Sequence, residues 1–125
     1  MTGDEALLEQ ARQSAEKSYS PYSKFRVGAV VVADDGAVFT AANVENAAYG
    51  SSICAEANAI AEAVGNGVRS IATVAVACLD GDDCMPCGNC LQMMREFGVK
   101  RIVTEARDYT LEELLPYSFG PESLE

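Results

Sequence analysis

Four residues of this sequence have the types and spacing to do chemistry: Cys54, Glu56, Cys87 and Cys90. They fall in two short segments, Cys54-Ala55-Glu56 and Pro86-Cys87-Gly88-Asn89-Cys90, each placed where a helix is expected to begin. Three thiolates converging from two helix N-termini would hold Zn²⁺ at about 2.3 Å each and leave its fourth tetrahedral position open. An open position marks a catalytic rather than a structural zinc site. Water in that position becomes acidic, with a pKa near ~7, and supplies hydroxide at neutral pH. Glu56, two residues beyond a ligand, would stand beside that water without coordinating, free to take its proton and pass it on. Attack on an amidine-type carbon needs this pairing, because the ring nitrogen must gain a proton as hydroxide adds. The same carboxyl can then protonate the departing amine. Helix N-termini also stabilise thiolates, which favours deprotonated ligands.

The rest of the inventory narrows the chemistry. There are five cysteines and no histidine. An odd cysteine count argues for metal binding or catalysis over a disulfide framework. Without histidine there is no Ser-His or Cys-His nucleophilic pair and no His-ligated metal. Cys78, expected in mid-strand, reads as a small buried hydrophobe. Cys84, in an acidic loop, reads as an incidental thiol. The rival arrangement is a four-thiolate structural zinc that recruits Cys84 or Cys78, closes the open position and leaves Glu56 idle.

Elements must bring the two segments together. An amphipathic helix is expected over residues 4–19, ending before Pro21, with Leu7, Leu8, Ala11 and Ala15 on one face. Residues 25–33 and 37–43 read as two strands joined at Asp34-Asp35-Gly36. A helix over 53–64 is expected to begin at Ser51-Ser52. A buried strand at 69–79, a helix at 87–97, a strand at 100–104 and a short Glu-rich helix at 111–115 complete the set. Strand pairs alternating with helices predict an α/β fold, a three-layer α-β-α sandwich with a mixed β-sheet, in one domain over residues 1–125.

Bulk properties exclude several partners. The net charge is −10, and the nine basic residues are scattered apart from Lys100-Arg101. Nucleic acid polymers draw affinity from Lys and Arg clusters, so neither they nor an anionic membrane surface is an expected partner. A small neutral substrate would not be repelled. No apolar run approaches the ~20 residues that span a bilayer. The start, Met1-Thr2-Gly3-Asp4-Glu5, lacks the basic-then-apolar order of a signal peptide, so the cytoplasm is the expected compartment.

With these residues in view, the sequence resembles the cytidine deaminase family of small homotetrameric zinc enzymes almost end to end. Cys54-x-Glu56 with Pro86-Cys87-x-x-Cys90 matches the zinc deaminase signature with cysteine in the first ligand place. The other matching blocks are residues 19–29 (YSPYSKFRVGA), 43–50 (NVENAAYG), Leu114-Leu115-Pro116 and Phe119-Gly120-Pro121. The resemblance implies hydrolysis of free cytidine or deoxycytidine to the uridine product plus ammonia, by zinc-bound hydroxide at C4 with Glu56 as proton shuttle. It places such an enzyme in pyrimidine salvage. Asn43 and Glu45 match the ribose-binding pair, Phe25 an aromatic near the base, and Ala55 a residue whose backbone contacts the ring. Tyr49 and Phe119 match positions that reach a neighbouring subunit's site, so the resemblance implies a homotetramer with shared active sites. Deamination of another aminated base or a nucleoside antibiotic on the same zinc core is the alternative, as is a non-catalytic zinc-binding module.

One departure has electrostatic weight. Many three-cysteine members carry Arg directly after Cys-Ala-Glu and Arg after the last ligand, where this chain has Ala57 and Leu91. Three thiolates on Zn²⁺ leave net charge −1, which opposes ionisation of bound water. The side-chain amide of Asn58 or Asn89 is expected to compensate by donating to a ligand sulfur, alongside the helix N-termini.

Overall fold

The computed structural model describes residues 3–124. Helix α1 (Gly3–Ala15) precedes strands β1 (Val27–Ala33) and β2 (Val38–Ala42), then α2 (Ala55–Gly65), β3 (Ile71–Cys78) and α3 (Gly88–Glu96). Short β4 (Arg101–Val103), β5 (Asp108–Thr110) and α4 (Leu111–Leu114) follow, with 3₁₀ turns at Tyr49–Ser51 and Pro121–Leu124. The strands form one sheet in the order β2-β1-β3-β4-β5. Only the β3–β4 pair is parallel, so the sheet is mixed as expected.

Period-2 alternation divides the core between the two faces. Val30, Ala75, Ala77 and Val103 pack with Leu8 and Ala11 of α1. Ala29, Val31, Val74 and Ile102 pack with Ala59, Ile60 and Met94 from α2 and α3. Helices on both faces make three layers, because the central strands β1 and β3 bury side chains on both sides of the sheet. Small residues set the spacing under α1. A methyl group on Gly28 would lie 1.9 Å from the Ala11 carbonyl oxygen and 2.6 Å from the Ala15 nitrogen, so β1 and α1 meet backbone to backbone there.

The helix boundaries differ instructively from expectation. α1 ends at Ala15, four residues early; Lys17 and Ser18 continue in turns that deliver Tyr19 to a bridge with Val44. α2 begins at Ala55 rather than Ile53, because Ile53 is paired with Val44 in an extended bridge. Ser51 and Ser52 are therefore not its cap: Ser52 Oγ instead accepts from the Asn46 N–H at 3.1 Å. α4 has the cap that its Glu-rich sequence suggests, a box in which Thr110 Oγ1 accepts from Glu113 N–H and Glu113 Oε1 accepts from Thr110 N–H.

Register places the two helix starts together. β1 and β3 are antiparallel, with Val27 opposite Cys78. The segment leaving β3 runs into α3, and the segment leaving β2 runs through residues 43–54 into α2. Both helices therefore begin at the sheet end marked by Val27 and Cys78.

Candidate active site

Cys54 and Cys87 occupy equivalent positions, each the last extended residue before a helix, with φ/ψ of −68°/153° and −76°/166°. N-cap residues usually spend their side chains on the helix's free N–H groups. Cys54 makes no such bond, and its thiol instead faces Cys87, with the two sulfurs 3.9 Å apart. Cys90, one turn into α3 and fully buried, completes a triad whose sulfurs all lie within 4.8 Å of one another. Three thiolates tetrahedral about one zinc at about 2.3 Å stand about 3.8 Å apart. The observed 3.9 Å spacing and the all-sulfur donor set fit that ion.

The charge around the triad is handled by backbone, not by side-chain amides. Asn58 Nδ2 donates to the Ala42 carbonyl at 3.1 Å, and neither Asn58 nor Asn89 gives a side-chain hydrogen bond to sulfur among the described residues. The expected amide compensation is thus overturned: Asn58 is committed to tying α2 to the end of β2. Burial raises the Cys87 thiol, but the N–H groups of Cys90 and Asn89 and the neighbouring thiols outweigh it, leaving Cys87 below its ordinary value. Burial, then the Cys87 charge, holds Cys54 above its ordinary range. Cys90 is raised further, by burial and then by Glu56.

Glu56 is in the first turn of α2 and only 4% exposed. Burial pushes its carboxyl up. A buried carboxyl whose pKa is raised suits general acid–base work.

Cys54, Cys87 and Glu56 open onto a cavity of about 160 Å³. Phe25, Asn43, Ala55, Cys54, Glu56 and Cys87 line it as the sequence suggests; Val27, Val76, Cys84 and Met85 also line it and went unforeseen. Alternation along β1 from Phe25 points to Val27, and Met85 adjoins Pro86-Cys87, so those two had a signal. Cys84 had none. It is not in the metal-ligand triad, and Cys78 is not either: the Cys78 thiol donates to the Gly81 carbonyl at 3.6 Å. Larger hollows of about 380 and 500 Å³ lie elsewhere, without a thiol in their walls.

Glu45 and Tyr49 sit in a separate groove of about 370 Å³ with Tyr22, Ser23 and Ser52. Lys24 joins the two hollows, since its left-handed φ of 60° lets Ser23 face one and Phe25 the other. Glu45 Oε1 accepts from the N–H groups of Tyr22 and Ser23 at 3.0 Å each, and Oε2 accepts from Ser23 Oγ. The Ser23 hydroxyl and N–H hold the carboxyl below its usual range, so it is ionised. Asn43 Oδ1 accepts from Val27 N–H at 3.0 Å and from Ser18 Oγ, while Nδ2 donates to the Phe25 carbonyl at 2.9 Å. Phe119 lines neither hollow; it is 57% exposed, its carbonyl accepting from Gln92 Nε2 at 2.8 Å.

Residues 1–106 match the family model described as the cytidine and deoxycytidylate deaminase zinc-binding region. A curated cytidine deaminase from Sporosarcina psychrophila is 36% identical over 96% of this chain and 93% of its own length. One from Mycobacterium tuberculosis is 40% identical over 94% of this chain and 90% of its own. The crystal structure of a Burkholderia pseudomallei cytidine deaminase superposes with a TM-score of 0.86 at 41% identity, covering 95% of this chain and all of that one.

Proposed function

The chain belongs to the cytidine and deoxycytidylate deaminase family, and on that premise we propose that it hydrolyses free cytidine or deoxycytidine to uridine or deoxyuridine and ammonia. The observation that carries the reading is the buried Glu56 beside a thiol triad spaced for one zinc, with Glu56, Cys54 and Cys87 facing one small cavity and Cys90 buried behind it. Cys54, Cys87 and Cys90 would hold the metal, which when bound supplies the Lewis acidity that makes water nucleophilic at neutral pH. Glu56 takes the proton from the attacking water and gives it to ring N3. Its carboxylate then takes the remaining proton from the new C4 hydroxyl and delivers it to the exocyclic nitrogen, which leaves as ammonia as the C4–N bond breaks and the C4 carbonyl forms.

Hydrogen-bond capacity supports a sugar beside Asn43 and Glu45. A carbonyl oxygen has two lone pairs, an amide two N–H donors and a carboxylate about four acceptor sites. After their protein bonds, Asn43 keeps one N–H and Glu45 keeps one site on Oε2. One donor and one acceptor, both fixed, suit sugar hydroxyls. Phe25 offers its ring to the base, and Ala55 its backbone at the start of α2. The cavity holds the base end of a nucleoside, with the sugar left toward the groove. No Lys or Arg lines either hollow among the described residues, which favours an uncharged nucleoside over its phosphate.

Tyr19, Val44, Tyr49, Ile53 and Phe119 are all more than 40% exposed. Apolar area of that kind supports a homotetramer in which Tyr49 and Phe119 of one copy complete a neighbour's site. The assignment also fits a cytoplasmic enzyme of pyrimidine salvage.

The test is to supply zinc-loaded protein with cytidine, deoxycytidine, cytosine and dCMP and follow loss of the amino-pyrimidine absorbance. Turnover of the first two is expected. Glu56→Gln should lower kcat by about 10²- to 10⁴-fold with one zinc per chain retained. No turnover of any of the four would overturn the substrate assignment.

A further inference from the structure

Four wall residues of the catalytic cavity have no part in its chemistry, Val27, Val76, Cys84 and Met85, and among them Cys84 stands apart. Cys54, Cys87 and Glu56 are committed to the metal and the proton, Phe25 and Asn43 to the base and sugar. Val27 and Val76 project from strands whose backbones are bonded on both sides, β1 between β2 and β3, and β3 between β1 and β4. Only Cys84 and Met85 come from the irregular segment between β3 and α3, and Met85 is 46% exposed. Cys84 is half-buried, with its N–H bonded to Asp83 Oδ1 at 3.0 Å.

That segment is anchored under the cavity rather than loose. Cys78, 6% exposed at the end of β3, donates to the Gly81 carbonyl. Gly81 in turn lies flat against Phe25: a methyl there would be 3.0 Å from Phe25 Cε1 and 3.7 Å from the Cys78 sulfur. The Arg26 guanidinium grips Asp80 through Nε at 3.0 Å and Nη2 at 2.9 Å, and Arg26 N–H donates to the same carboxylate. Residues 78–81, which lead into Cys84, are therefore packed against the Phe25 ring and tied to Arg26. Burial and the adjacent Cys78 thiol keep Cys84 protonated, so it presents a small, uncharged, polarisable surface.

We propose that Cys84 is a specificity-determining residue, whose size sets the largest substituent tolerated on the carbon edge of the pyrimidine ring. The inference rests on the nucleoside deaminase reading. In that reading C4 faces the metal, N3 faces Glu56 and N1 carries the sugar toward Asn43. The remaining C5–C6 edge must meet the uncommitted walls, and of the two among them outside the sheet Cys84 is half-buried while Met85 is 46% exposed. Removing its sulfur opens space of about the size of a methyl group. A pocket change of that size shifts discrimination by ~10- to 200-fold.

The experiment measures kcat/KM for cytidine and 5-methylcytidine with the zinc-loaded parent, Cys84→Ala and Cys84→Val, with zinc content and circular dichroism taken on each. In Cys84→Ala the ratio of 5-methylcytidine to cytidine should rise at least about tenfold. In Cys84→Val, which adds bulk, it should fall below the parent's. A merely structural role would lower both substrates together and leave the ratio unmoved. Parent turnover of cytidine with a flat ratio across both variants would overturn the role of Cys84 alone. No parent turnover of cytidine would overturn the underlying reading, and this inference with it.

Discussion

Five thiols gather at one end of the sheet, and the structure divides them by geometry rather than by sequence distance. Cys84 is three residues from Cys87 yet outside the triad, while Cys54 is 33 positions away and inside it. Cys90→Ala should therefore abolish stoichiometric zinc binding, whereas Cys84→Ala should still bind one zinc per chain, as read by metal analysis after dialysis. Loss of zinc in both would revive the four-thiolate arrangement. The triad and Glu56 were legible in the sequence because they sit in motifs of fixed residue type and spacing, whereas Phe25 and Asn43 were named only through the family resemblance. The screening of the triad was legible in part: the expected helix N-terminus acts, through the N–H groups of Asn89 and Cys90, but the side-chain amide that residue types suggested does not. Arg26 and Asp80 give a pH test. Asp80, held by Arg26, is lowered from 3.8 to about 2 in the fold, so the unfolded chain takes up its proton first as pH falls. The pair's contribution is full above about pH 4 and lost as the pH drops toward about 2. The gap in melting temperature between the parent and Asp80→Asn should close over that same window.

At the scale of elements, the alternation of strands and helices was readable, and the ends of elements were less so. α1, α2 and α3 each stop or start where a tertiary bond intervenes: Tyr19 with Val44, Val44 with Ile53, and the exposed thiols at the two helix starts. Such partners are distant in sequence, so local periodicity runs past them. β5 was not foreseen either, being three residues that exist as a strand only through pairing with β4. Gly28 shows an element contact that sequence inspection reads as an ordinary strand glycine. Since α1 rests its backbone directly on it, Gly28→Ala must displace the helix, and overpacking of this kind costs about 1–3 kcal/mol. A melting temperature several degrees lower is expected. An unchanged value would mean that α1 does not sit as close as the structure has it.

The whole molecule carries a charge of −10. Self-repulsion of that size disfavours the compact state and is screened by salt, whose Debye length falls from ~30 Å at 0.01 M to ~10 Å at 0.1 M. Raising the ionic strength across that interval should raise the melting temperature, measured at fixed zinc and protein concentration. The proposed tetramer makes a second prediction at this scale: Tyr49→Glu should shift the sedimentation profile toward smaller species and reduce activity together. Activity retained in a dissociated chain would count against shared sites. The two exposed cysteines, one at the start of each helix, have a further consequence. An ion gripping both α2 and α3 closes a chain segment of 33 positions, from 54 to 87, and so removes conformational freedom that the unfolded chain would otherwise regain. Bound zinc would then be a cross-link as well as a reagent, and mass action would apply: the melting temperature should climb with the logarithm of free zinc once that concentration exceeds the dissociation constant. The same trace metal that the chemistry requires would thus decide, through its availability, how much of the protein persists to perform it.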